Sequence, residues 1–168
     1  MVSTNGGQKR DAPRPLPHQP GEILLVEDNA EDVELTRAAF EAAGVRKRLH
    51  IARDGQEALD FLFRRGAFTA AIRPDIILLD LNLPYIKGHE VLRQVKAAEG
   101  LRHIPIVVLT MSQSPEHVVL AYQLGAAAYL PKPVDFQEFV EAVRTLDRFW
   151  FGIAKLPGHS SVPARLAK

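Results

Sequence analysis

The chain has no cysteine, which removes disulfides, thiolate metal sites and thiol nucleophiles together. It also has little surplus charge: 21 lysines and arginines face 20 aspartates and glutamates, for a formal net charge of +1. That balance gives no reason to expect nucleic acid or an anionic membrane as a partner. The short basic runs Arg46-Lys47-Arg48 and Arg64-Arg65 read as solvated surface. No stretch approaches the roughly 18 apolar residues of a membrane span. The N-terminus lacks the apolar centre of a secretion signal, so a cytoplasmic protein is expected. Six histidines are scattered without metal-ligand spacing and receive no role.

What the chain does have is a run of short apolar segments alternating with amphipathic ones. Hydrophobic residues make up 46% of its 168 positions, enough for one buried core. Residues 1–20, with four prolines, are expected to form a disordered leader, and residues 157–168 a flexible tail. Between them, "EILLVE", "RLHIAR", "PDIILLDLNLP", "IPIVVLT" and "AAAYLP" read as strands. Each is followed by helical spacing, the last helix running from 135 to about 155. Strands apolar on both faces belong to parallel sheets covered on each side. The fold class is therefore α/β: a doubly wound, five-stranded parallel sheet of flavodoxin-like order 2-1-3-4-5 with helices on both faces.

In that architecture sites lie at the carboxyl ends of the strands. The first strand delivers Glu27 and Asp28 there, the third Asp80, the fourth Thr110, and the loop after the fifth Lys132. Taken singly, each has an ordinary reading: a helix cap, a turn residue, plain strand chemistry, a loop lysine. Together they put three carboxylates, a hydroxyl and an ammonium on one edge. Clustered carboxylates without thiolates suit a hard cation such as Mg²⁺. Asp80 is a candidate nucleophile toward phosphorus, with Lys132 to neutralise phosphoryl charge and Thr110 to donate a hydrogen bond.

These residues, with "DLNLP" around Asp80, Tyr129 and Lys132-Pro133, resemble the receiver domain of two-component response regulators over about residues 21–156. The intervals from Asp80 to Thr110 and on to Lys132 match as well. The resemblance implies that Asp80 accepts a phosphoryl group from a sensor histidine kinase. It also implies that Glu27, Asp28, Asp80 and the backbone carbonyl of Asn82 hold Mg²⁺, with Lys132 pairing with the acceptor carboxylate. Thr110 and Tyr129 are implied as a switch pair, the ring turning inward on phosphorylation, and Lys132–Pro133 as a cis bond. Glu27 stands where aspartate is more usual. Met111, a bulky neighbour of Thr110, leads us to expect slow dephosphorylation.

The sequence after Pro133 is too short for an attached output domain, so the output is expected from the receiver's own surface. Its last helix ends in "DRFWFGIAKLP". A helix of about 20 residues is near 30 Å long and would overhang strands of about 17–20 Å. Phe149, Trp150, Phe151 and Ile153 are therefore expected at a homodimer interface. The "FW" ending and the long "RRGAFTAAIRPD" segment resemble single-domain regulators paired with phytochrome-type kinases. Two alternatives stand beside this reading. A receiver-like module that no longer takes phosphate would not need the intact set of acids, hydroxyl and lysine. An aspartate-nucleophile phosphatase of the haloacid dehalogenase type would want an aspartate where Asn82 stands.

Overall fold

The computed structural model describes residues 21–157. The expected leader, and the tail beyond residue 157, lie outside those residues. Five strands, β1 (Glu22–Val26), β2 (Arg48–Ala52), β3 (Ile76–Leu79), β4 (Ile106–Thr110) and β5 (Ala128–Pro131), form one sheet in the order β2-β1-β3-β4-β5. All four neighbouring pairs are parallel. Four α-helices connect them, α1 (Ala30–Ala42), α2 (Gly55–Phe63), α3 (Gly88–Ala97) and α4 (Pro115–Gln123), and α5 (Phe136–Asp147) follows β5.

The two-residue period of a strand divides the core. Leu24, Val26, Ile77, Leu79, Ile106 and Val108 face one side and pack with α2, α3 and Ala121 of α4. Ile23, Leu25, Ile76, Leu78, Val107 and Leu109 face the other, against Val33, Ala39 and Phe40 of α1 and Phe139, Val140 and Val143 of α5. Both faces are dry, which is why the strands read as unbroken apolar runs.

Helix starts follow from local chemistry. The Asn29 side chain accepts the Glu31 and Asp32 N–H groups, Asp54 accepts from Glu57, and Asp135 from Glu138. Pro115 opens α4, where its missing N–H costs nothing. α2 stops at Phe63, where Arg64 takes a left-handed conformation, φ 55°. That frees residues 66–68 to form a separate 3₁₀ turn.

The last helix departs most from expectation. Regular α-helix ends at Asp147, and Arg148–Ile153 continue as a π-helical turn. Trp150 and Phe151 pack against the α1–α5 face, and the Lys47 ammonium lies 4.7 Å above the Phe151 ring. The free overhang expected of all four residues is thus kept by Phe149 and Ile153, exposed at 49% and 69%. The expected cis Lys132–Pro133 bond is also corrected: no peptide bond among the described residues is cis. Trans is the lower-energy isomer for X–Pro, and the lysine reaches its partners from it.

Gly88 sets how closely α3 approaches the end of β3. A Cβ there would lie 2.3 Å from the Asp80 carbonyl oxygen and 2.6 Å from the Leu81 Cα, both backbone atoms. Gly88→Ala should therefore lower unfolding stability by about 1–3 kcal/mol in urea titrations. An unchanged midpoint would mean that the Asp80 loop yields without cost.

Candidate functional site

The parallel sheet brings the ends of β1, β3, β4 and β5 to one rim, and the candidate residues meet there. Glu27 and Asp80 are buried while Asp28 is exposed, and one carboxylate oxygen from each lies within 4.8 Å of the others. Glu27 is fixed at both oxygens: Oε1 accepts the Asn29 N–H at 3.0 Å and Oε2 the Lys132 ammonium at 2.5 Å. Asp80 is held likewise, Oδ1 by the Asn82 N–H and Oδ2 by Lys132, each at 3.0 Å. The Asn82 N–H thus lies beside Asp80, and residue 82 is itself exposed. Buried Thr110 lies beside Asp80, and the neighbouring Met111 is exposed.

Lys132 is the hub. Its side chain is only 10% exposed and its ammonium contacts three carboxylates: Glu27, Asp80 and, at 2.8 Å, Asp32. Burial alone would lower the lysine pKa, but the three carboxylates outweigh it and raise it. Burial likewise works against an ionised Asp80, yet the Asn82 N–H and the Lys132 ammonium hold its carboxyl below the usual range. Glu27 goes the other way: burial dominates and pushes it up. The set thus holds two buried carboxyls whose surroundings shift them in opposite directions. All-oxygen donors with one exposed member fit a hard divalent cation.

Asp32 is the member that the sequence reading missed. It stands in the first turn of α1, from where its carboxylate reaches the Lys132 ammonium. Tyr129 is already inward and buried, its hydroxyl donating to the Ser112 carbonyl at 2.9 Å. Ser112 has further ties. Its N–H reaches the Thr110 hydroxyl oxygen at 3.4 Å, its own hydroxyl lies 2.7 Å from His117 Nδ1, and it accepts the Ser114 N–H. The His117 ring in turn meets His89 of α3 edge-to-face at 5.4 Å. Both histidines, unassigned from sequence, therefore belong to the surroundings of the β4–α4 loop.

Removing Lys132 leaves three carboxylates facing one another. Lys132→Met should lose about 3 kcal/mol of stability at pH 7 without divalent cations. Wild-type Asp80, with its depressed pKa, keeps its contribution until the pH falls through that folded value. In the variant the carboxylates have raised folded pKa values, so folding takes up protons and stability recovers as pH falls from 7 toward 5. Urea titrations at the two pH values check this; a constant gap between variant and wild type would contradict it.

Residues 23–144 match the family described as response regulator receiver domain. Response regulator Rcp1 of Synechocystis sp. is 38% identical over 138 residues, spanning 82% of this chain and 94% of its own. Among solved structures, the phosphorylated cyanobacterial phytochrome response regulator RcpA superposes with a TM-score of 0.79 at 36% identity, covering 83% of this chain and all of that one. The Mn²⁺-bound form of Rcp1 gives 0.77 at 37%, with the same coverage. The rim of acids, hydroxyl and lysine thus sits on a matching sequence and a matching fold, and the chain belongs to the response regulator receiver family.

Proposed function

We propose that the chain is a phosphorylation switch that accepts a phosphoryl group on Asp80 from a phosphohistidine of a sensor histidine kinase. The observation that carries this reading is the Asp80 carboxylate, held ionised at the rim and bonded to Lys132. In the transfer an Asp80 oxygen forms the new O–P bond as the P–N bond of the donor breaks. The electron pair leaves on the imidazole, which then takes a proton. Lys132 meets the charge on the phosphoryl oxygens, and the Thr110 hydroxyl turns toward them. Mg²⁺, when bound, would be held by Glu27, Asp28, Asp80 and the Asn82 carbonyl, and supplies further charge neutralisation. Movement of Thr110 reaches Tyr129 through Ser112, so the proposed switch pair is joined by a named path. Kinship with phytochrome response regulators supports a phytochrome-type kinase as the donor.

Incubation with acetyl phosphate and Mg²⁺ should add one phosphoryl mass to the wild type and none to Asp80→Asn, read by intact mass spectrometry. A gain that survives the substitution would sink the assignment. A receiver-like module without phosphotransfer would show no gain in either protein.

A homodimer through the α5 extension is the second part of the proposal. Phe149 and Ile153 present apolar surface to solvent, and Trp150 backs Phe149 edge-to-face at 5.0 Å. The double substitution Phe149→Ala with Ile153→Ala should give a monomer by light scattering while the circular dichroism stays unchanged. A dimer that persists would place the interface elsewhere.

A further inference from the structure

Lys132 has no donor to spare. An ammonium carries three N–H groups and no acceptor, and here each group faces a different carboxylate: Glu27 at 2.5 Å, Asp32 at 2.8 Å and Asp80 at 3.0 Å. If Asp80 is the phosphoacceptor, on which this inference rests, an arriving phosphoryl oxygen finds every N–H taken. One of the three carboxylates must release the lysine.

The three are not equally able to do so. Glu27 is buried, and its other oxygen is pinned by the Asn29 N–H. Asp80 is the reacting group: it must stay ionised until the O–P bond forms, so its Oδ2 bond to Lys132 is not the one to yield as the phosphoryl group approaches, and its Oδ1 is held by the Asn82 N–H. Asp32 differs in both respects. Its side chain is 34% exposed, and among the described residues only Lys132 bonds to its carboxylate. Its backbone is secured independently, the N–H by the Asn29 side chain at 3.3 Å and the carbonyl by the Thr36 hydroxyl at 2.8 Å. The carboxylate can turn into water, which rehydrates it, without disturbing the helix. It also lies outside the group of three oxygens suited to a cation.

We propose that Asp32 is a positioning residue that acts through Lys132. Its carboxylate stands in for the phosphoryl group, occupying one ammonium N–H in the resting protein and yielding it when the phosphoryl group arrives. Asp32 opposes phosphorylation twice over, by holding the donor and by placing a negative charge beside a dianion. Its effect is to raise the threshold for switching, not to supply chemistry.

The test uses beryllofluoride, a non-covalent phosphoryl mimic, titrated into the full chain at saturating Mg²⁺ and followed by amide NMR of Asn82 and Ser112. Asp32→Asn and Asp32→Ala should each bind beryllofluoride about threefold tighter or more, the size expected for removing one nearby charge and its competing hydrogen bond. Asp32→Glu keeps a carboxylate within reach of the lysine and should stay within about twofold of wild type. Glu31→Gln removes the same charge from the adjacent exposed position, away from Lys132, and should also stay within about twofold. Equal or weaker binding by both Asp32→Asn and Asp32→Ala overturns the role of Asp32. So does a Glu31→Gln protein that tightens as much as they do, since that would reflect bulk charge alone. Failure of the wild type to bind beryllofluoride or to gain phosphoryl mass overturns the phosphoacceptor reading itself, and this inference with it.

Discussion

One buried ammonium holds the rim of this sheet together. Glu27, Asp32 and Asp80 come from a strand end, a helix and a second strand end, and all three close on Lys132 from the loop after β5. Without a cation the like charges would repel; with it they form a compact set whose members settle at different protonation tendencies. Asp80 is pulled toward the ionised form and Glu27 toward the neutral one. Burial and the Lys132 ammonium thus act on two carboxyls of one rim with opposite net results.

The rest of the fold serves to deliver these groups. β1 and β3 are adjacent and parallel, in a register that pairs Val26 with Leu79. The residues that follow, Glu27 and Asp80, therefore leave the sheet side by side. Gly88 lets α3 come close enough to brace the Asp80 backbone. The alternating strand faces bury apolar side chains on both sides, so the polar groups of β1, β3 and β4 fall at the ends of the strands.

Much of this was legible in the sequence for a physical reason: in a parallel sheet, the residue that follows an apolar run is by geometry at the rim. Glu27, Asp28, Asp80 and Thr110 could be found from that alone, and Lys132 from the loop after a fifth run. Asp32 escaped because a helix residue shows its direction only through spacing, and the apolar periodicity of α1 drew attention to its buried face. The end of α5 was misjudged because nothing in "DRFWFGI" marks the change from α to π winding. Over that turn Trp150 and Phe151 pack against the core while Phe149 and Ile153 stay exposed.

The ties of Ser112 have a mechanical consequence. Its amide, hydroxyl and carbonyl engage four residues that belong to a strand end, a helix start, a helix turn and the edge strand. A segment fastened at so many corners moves as one piece or not at all. In the switch proposed above, such a segment favours two discrete conditions for each molecule, and a graded response would come from how many copies have flipped rather than from how far each one has bent.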